Sequence, residues 1–390
     1  MMEKLLLKNV RLDSGCTNIL IENGYFADIA APEQVPDATA IDCTGKAILP
    51  AFYNTHNHAG MMYLRGGGDD LPLQKWLTEY IWPTEDKMGA EDIRRSNELA
   101  CKEMIKSGSV FFNDMYFEIE TAVSEVDKAG IRACIGITIM ENHSKSLLAQ
   151  KLDFIANYKD PTSGRIKLSI APHSVYTVGP ERLRMSAELA RKYNLPIHIH
   201  VSETLNEVQD CLRDHGMTPV RYLDSLGVLG PDVIAAHCVH VDEEEWDILA
   251  ERGVTVSHCP CSNMKLASGR FPYELAIKSG VKIALGTDSA SSNNNLDMRE
   301  EMKFAALLAK VNGDPELLPA KQVFEWATVN GAAAFGFKAG KIQKGWLADA
   351  VLLDLSNPRL IPNDNLYSMW VYAADCSCID SVICNGRILF

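Results

Sequence analysis

The sequence predicts an α/β fold, a TIM-like (β/α)8 barrel with a small β-sandwich domain built from both chain ends, and three observations predict it. Eight short apolar runs alternate with helix-forming stretches through the middle of the chain. Four of those stretches stop on a basic residue followed by glycine, at Lys106-Ser107-Gly108, Lys128-Ala129-Gly130, Glu251-Arg252-Gly253 and Lys278-Ser279-Gly280. Both ends of the chain instead carry short alternating runs broken by Asn-Gly, at Asn23-Gly24 and Asn385-Gly386.

Each element follows from local chemistry. In residues 1–49, alternation and the Asn23-Gly24 turn predict antiparallel hairpins, because Asn-Gly fits the positive φ values of a two-residue turn. Residues 50–341 then read as the barrel. Its strands are expected at Ile48 to Tyr53, Val110 to Phe112, Ile131 to Ile139, Ile166 to Ala171, Pro196 to Val201, Val233 to Ala236, Val254 to Val256 and Val281 to Leu285. Between them, Leu183, Ala187, Ala190 and Tyr193 recur at helical spacing, as do Trp246, Leu249 and Ala250. A basic residue in a helix's last turn offsets the carbonyl dipole, and glycine accepts the left-handed cap. Continuously apolar strands joined by amphipathic helices require a parallel sheet covered on both faces, and eight such units can close on themselves. An open doubly wound sheet is the structural alternative. Residues 342–390 return to hairpin patterning. Neither flank is long enough to bury a core alone, so the two should pack together.

Composition limits the partners. Lysine plus arginine number 38 against 51 acidic residues, a net charge of -13, with no basic run able to neutralise phosphates. Nucleic acid and membrane are therefore excluded as partners; a small-molecule substrate is expected, and a homo-oligomer is allowed. Met1 to Lys8 has too short an apolar stretch for a signal peptide, and no segment offers about 18 uncharged apolar residues for a membrane span. A cytoplasmic protein is expected. Eleven cysteines, an odd count in a chain of 390 residues, read as reduced and buried thiols. Cys259-Pro260-Cys261 has no second cysteine pair at zinc-site spacing.

In a (β/α)8 barrel the chemistry lies where the strands end. The first strand leads to His56 and His58, whose i, i+2 spacing aims both rings at one spot. The second ends in Asn113-Asp114, the fourth in His173, and the fifth in His198-Ile199-His200-Val201-Ser202-Glu203. His237, His258 and Thr287-Asp288 close the last three. Any one of these histidines alone would read as a satisfied core residue. Several imidazoles and a carboxylate around one barrel mouth instead form a transition-metal ligand set.

Thr55-His56-Asn57-His58, His200-Val201-Ser202-Glu203, Ala236-His237, His258-Cys259-Pro260-Cys261-Ser262-Asn263 and Gly286-Thr287-Asp288-Ser289 resemble the amidohydrolase superfamily. Within it they are most similar to the mononuclear zinc aminohydrolases of the methylthioadenosine/S-adenosylhomocysteine deaminase branch. The resemblance runs from Gly45-Lys46-Ala47-Ile48-Leu49-Pro50 to Lys344-Gly345-Trp346-Leu347-Ala348-Asp349. It implies that His56, His58, His200 and Asp288 are the metal ligands, that Glu203 is the proton shuttle, and that His237 is a partner of the metal-bound water. It also implies one Zn²⁺ per chain, ahead of Fe²⁺ or Mn²⁺. Glu85 matches a ribose-gripping carboxylate, and His173 a base- or ribose-contacting histidine. Two positions depart from the branch. Met140-Glu141-Asn142-His143-Ser144 has no arginine where the branch carries one for the far end of its substrate, and Ala51 stands where glycine is usual.

The implied activity is hydrolytic deamination of an aminated purine nucleoside. Zinc would make hydroxide available near neutral pH, Asp288 and His237 would hold it in line with an amidine-like carbon, and Glu203 would protonate the neighbouring ring nitrogen and then the leaving ammonia. Another hydrolase of the superfamily, acting on guanine, cytosine or a triazine, is the nearest alternative. An inactive scaffold is the alternative of another class. A bridging lysine for two metals is not expected, because Lys167 lies at the start of its strand. A cytidine-deaminase site would need a second cysteine that Pro260-Cys261-Ser262-Asn263-Met264 lacks.

Overall fold

The computed structural model describes residues 4–162, 164–311 and 313–390. Five strands precede the barrel: β1 (Lys4–Leu12), β2 (Gly15–Glu22), β3 (Tyr25–Asp28), β4 (Ala38–Asp42) and β5 (Lys46–Pro50). The barrel strands are β6 (Phe52–Asn57), β7 (Ser109–Tyr116), β8 (Arg132–Ile139), β9 (Ile166–Pro172), β10 (Ile197–Val201), β11 (Val233–His237), β12 (Thr255–His258) and β13 (Lys282–Leu285). Three more follow: β14 (Ala350–Asp354), β15 (Ile379–Cys384) and β16 (Arg387–Ile388).

Strands β6 to β13 pair in chain order, every neighbour parallel. The ring closes between its last and first members through the Asn57–Asp288 bridge and the bond from the Thr287 N–H to Asn54 Oδ1 (3.1 Å). Helices end as their sequence predicts, at Lys106, Ala129, Arg252 and Ser279, and Gly130, Gly253 and Gly280 take φ values of 77°, 73° and 73°. The expected helix around Leu183 to Tyr193 spans Pro180–Tyr193.

The two chain ends meet in one mixed sheet, ordered β16-β15-β14-β5-β1-β2-β3 with β4 added to β1. Long β1 makes this continuity possible: β2 occupies one edge, while β4 and β5 share the other at Lys4 to Lys8 and at Arg11. Leu7, Val10, Ile19, Ile21, Phe26, Ile48, Leu352 and Ile383 are buried within it. At the hairpins, Asn23 and Gly24 take φ of 53° and 82°, and Asn385 and Gly386 take 52° and 73°. Both positions of each turn are thus left-handed, as the dipeptide predicts.

The apolar run Ile48 to Tyr53, expected as one strand, is two. Residues up to Pro50 pair antiparallel with β14, and residues from Phe52 enter the barrel. The donors switch partner at this point: the Ala51 N–H bonds Asp349 O (3.2 Å) and the Phe52 N–H bonds Gly108 O (3.0 Å). An apolar run buried in both sheets gives no hydropathy signal at the crossing.

A buried ion pair fastens the two sheets together. Asp349 accepts from Arg132 Nε of β8 (2.8 Å), from the Tyr53 hydroxyl of β6, and from the Asn385 N–H in the last hairpin (2.6 Å). Arg132 and Asp349 are both buried. Asp349→Ala is expected to lower unfolding free energy by about 3–5 kcal/mol, because it leaves the guanidinium without its counter-charge. Denaturant titration measures this, and a loss below about 1 kcal/mol would contradict the assignment.

Candidate active site

Alternation in β10 sets the centre of the site. Ile197, Ile199 and Val201 belong to the apolar core while His198 and His200, on the opposite face, point into the barrel. His56, near the end of β6, meets both: its ring centroid lies 4.9 Å from His198 and 4.8 Å from His200. His58 follows one residue past β6, 4.8 Å from His56 and 5.4 Å from His200. Asp288, three residues beyond β13, is drawn in by the bond from its N–H to His56 O (3.0 Å). Its Oδ1 stands 3.4 Å from His56 Nε2 and 3.2 Å from His58 Nε2. Gly286 permits this approach, since a Cβ there would lie 2.7 Å from both His56 Cβ and Ser257 Oγ.

The tautomers decide what this cluster can hold. His58 Nδ1–H donates to Met115 O (2.7 Å) and His200 Nδ1–H donates to His173 O (2.7 Å). Both Nε2 atoms therefore carry lone pairs, yet they face one another at 3.4 Å. His56 Nδ1 is engaged with His198 Nε2 (2.7 Å), and its own Nε2 has no hydrogen-bond partner. Ring nitrogens of His56, His58 and His200 and the Asp288 carboxylate crowd together in the barrel mouth, a donor set that fits a divalent cation. Burial pushes the His56 ring down to about 4 and His200 well below its ordinary value, whereas for His58 burial is outweighed by Asp288 and the Met115 carbonyl, which raise it. Burial opposes ionisation of Asp288, but His56 and His58 hold its carboxyl well below the usual range. His56, His200 and His237 also bring nitrogens within 4.8 Å of one another.

Around the cluster stand the groups that would handle protons. Glu203 is buried, with Oε2 3.7 Å from His237 Nε2 and Oε1 3.3 Å from Ser268 Oγ. Burial raises its pKa, with the nearby His237 opposing. His237 Nδ1–H donates to Asn263 Oδ1 (2.8 Å), so its Nε2 faces the cavity as an acceptor. Ser262 Oγ donates to Asp288 Oδ2 (2.6 Å). Two of these positions hold left-handed backbone, His237 at φ 72° and Asp288 at 60°, as does Ser202, the residue before Glu203, at 50°. Non-glycine residues bear that cost where surrounding bonds over-determine the geometry, which is common at catalytic sites.

A cavity of about 570 Å³ opens above them, lined among others by His58, His200, Glu203, His237 and Asp288 at its floor. Glu85 and His173 line it too. Glu85 accepts from the Tyr116 hydroxyl (2.7 Å), and His173 Nδ1 meets Thr177 Oγ1 (2.9 Å). Burial pushes the Glu85 carboxyl up, the Tyr116 bond opposing.

All eight residues singled out in the sequence thus come together: His56, His58, His200 and Asp288 as a cluster, Glu203 and His237 beside it, Glu85 and His173 on the wall above. Other strand ends do not join them. His258 bonds the Tyr273 hydroxyl (2.8 Å) and stacks on Phe271 at 4.1 Å. Asp114 accepts from the Ala59 N–H (2.7 Å), holding the turn after His58, and burial pushes its carboxyl up to about 6. Lys167 donates to Phe335 O (2.5 Å) and does not line the cavity.

Sequence reasoning passed over Glu207, whose buried carboxylate accepts from the N–H groups of Ser202 (2.9 Å) and Glu203 (2.8 Å). The Thr204-Leu205-Asn206-Glu207 spacing of a capping box was the available signal. Its acceptors reach back to the two residues before the cap, which fixes the turn that carries Glu203.

Comparison with known proteins agrees with this geometry. The profile of the amidohydrolase family matches residues 47–389. This chain belongs to the amidohydrolase family. Family members are metal-dependent, in keeping with the ligand cluster. The amidohydrolase is 47% identical over 378 residues to a 5'-deoxyadenosine deaminase of Methanothermobacter thermautotrophicus, covering 95% of this chain and 88% of that one. It is 42% identical over 392 residues to a 5-methylthioadenosine/S-adenosylhomocysteine deaminase of Archaeoglobus fulgidus, covering 99% and 93%. Among solved structures, an adenosine deaminase from Xanthomonas campestris with bound zinc superposes on the amidohydrolase with a TM-score of 0.92 at 32% identity, covering 99% and 92%.

Proposed function

We propose that this amidohydrolase is a zinc-dependent hydrolytic deaminase of purine nucleosides, converting an aminated purine and water into the 6-oxo purine and ammonia. One observation carries the reading: lone pairs of His56, His58 and His200 converge with Asp288 at the floor of a cavity whose walls hold Glu203, His237 and Glu85. Neutral imidazoles with one carboxylate suit Zn²⁺ better than Fe²⁺ or Mn²⁺. A zinc ion bound there supplies the Lewis acidity that makes water nucleophilic near neutral pH.

The protein's own groups do the rest. Glu203, protonated more readily because it is buried, gives its proton to the ring nitrogen beside the amine-bearing carbon. It then takes the remaining hydroxyl proton and passes it to the departing nitrogen, while the proton that Asp288 accepts from the water returns to Glu203 as ammonia leaves. His237, its orientation fixed by Asn263, presents Nε2 to the nucleophilic water from one side, and the Asp288 carboxylate, held by Ser262, takes its proton from the other. Glu85 grips ribose hydroxyls, and His173 contacts base or ribose. Similarity to relatives named for 5'-deoxyadenosine and methylthioadenosine/S-adenosylhomocysteine supports a nucleoside over a free base or a triazine. In this reading residues 1–49 and 342–390 are one supporting domain for the barrel of 50–341.

No described helix is long and apolar enough to cross a membrane, and all eleven cysteines are free. These features support a cytoplasmic enzyme acting on a small molecule, and a homo-oligomer is compatible with them.

Ammonia release from zinc-loaded protein tests the proposal. Adenosine, 5'-deoxyadenosine or methylthioadenosine should be turned over, and guanine, cytosine and chloro-triazines should not. Turnover of a triazine or free base with every nucleoside inert would replace this reading with the rival hydrolase, and a folded protein that binds no metal would favour a scaffold.

A further inference from the structure

The cavity changes character from floor to rim. Its catalytic floor is buried, whereas Asp86, Phe117, Glu141, Asn142 and Tyr176 line the same cavity and are exposed, so they form its mouth. Two of those five are carboxylates, and Glu85 adds a third below them. Among the described residues, no lysine or arginine lines the cavity.

The positive charges nearby are engaged elsewhere. Arg182 Nε stands 3.7 Å from Glu141 Oε1, but its terminal nitrogens donate to the carbonyls of Met140 and His143. It offsets only part of the Glu141 charge. Lys151 donates to Thr138 O (2.7 Å) and Thr138 Oγ1 (2.8 Å) and borders a separate hollow with His143 and Phe154. Glu141 itself is held in place, its Oε2 accepting the Gly179 N–H at 2.9 Å.

We infer that Glu141 and Asp86 set specificity by charge: the site takes purine nucleosides whose 5' substituent is neutral or cationic and discriminates against those ending in a carboxylate. This rests on the cavity being a nucleoside site. A base over Glu203 and a ribose at Glu85 direct the 5' group toward the mouth. A carboxylate arriving there meets the like charges of Asp86 and Glu141 and finds no lysine or arginine lining the cavity. An ammonium finds two partners.

The test uses two probes of matched length, 5'-(2-aminoethylthio)-5'-deoxyadenosine and 5'-(carboxymethylthio)-5'-deoxyadenosine, with 5'-deoxyadenosine as the uncharged reference. At low ionic strength kcat/KM should favour the amine over the acid by roughly tenfold, and about 0.5 M salt should shrink that ratio. Glu141→Lys should lower the amine-to-acid ratio by a further factor of roughly ten. Glu141→Gln, which keeps an acceptor for Gly179, should fall between. Because each ratio is taken within one variant, a general loss of activity cancels. A wild-type ratio of one or less, or a ratio unmoved in both variants, overturns the inference. If all three compounds are inert, the nucleoside reading fails and takes the inference with it.

Discussion

Glu203→Gln is expected to lower kcat by roughly 10²- to 10⁴-fold while the metal stays bound. The substitution preserves the shape and the Ser268 contact but removes the proton that must reach the ring nitrogen. Glu203 is not among the groups converging on the cation site, so metal content per chain should not move. Its carboxyl is buried 3.7 Å from His237 Nε2, and burial favours the protonated form a general acid needs. Steady-state ammonia release together with metal analysis checks both halves. Turnover within about twofold of wild type would remove Glu203 from the proton pathway.

Replacing a ligand should act differently. In His200→Ala, metal content should fall from about one per chain to a small fraction, and ammonia release should be lost with it, by at least about 10³-fold. Removal of this ring deletes one of three lone pairs, and the bond to His173 O that aimed it. His258→Ala is the comparison, since both histidines are buried near the ends of barrel strands, β10 and β12. His258 bonds Tyr273 and stacks on Phe271, so its loss should leave a cavity and cost about 2–4 kcal/mol in stability while metal content stays near one. Metal analysis of the two variants separates the roles. Loss of metal from His258→Ala, or retention in His200→Ala, would redraw the ligand set.

Much of this was legible in the chain itself. The helix stops and the Asn-Gly turns are local: glycine and asparagine accept positive φ, and a terminal cation answers the helix dipole, whatever the rest of the fold does. The period-two spacing of His198 and His200 fixes a shared face as soon as that segment is extended. Hence the strands, the two kinds of sheet and the histidines and carboxylates that close the strands are legible locally, whereas Glu85 and the choice of the eight candidates rest on the family resemblance. The crossing at Ala51 could not, because a run buried in two successive sheets has one unbroken hydropathy.

Which histidines face the proposed metal site is also a tertiary matter. His58, His200 and His258 look alike in sequence, yet the first two have Nδ1 tied to the carbonyls of Met115 and His173 and so aim Nε2 at Asp288 or at each other, while the third turns to Tyr273. The partners lie 57, 27 and 15 residues away, beyond any local pattern. The sequence by itself determined the strands, their turns and the kinds of ligand present, since these depend on neighbours within a few residues. Only the tertiary structure decided which lone pairs meet, that Glu207 fixes the turn bearing Glu203, and that Arg132 and Asp349 join the two sheets, because those contacts arise from chain closure.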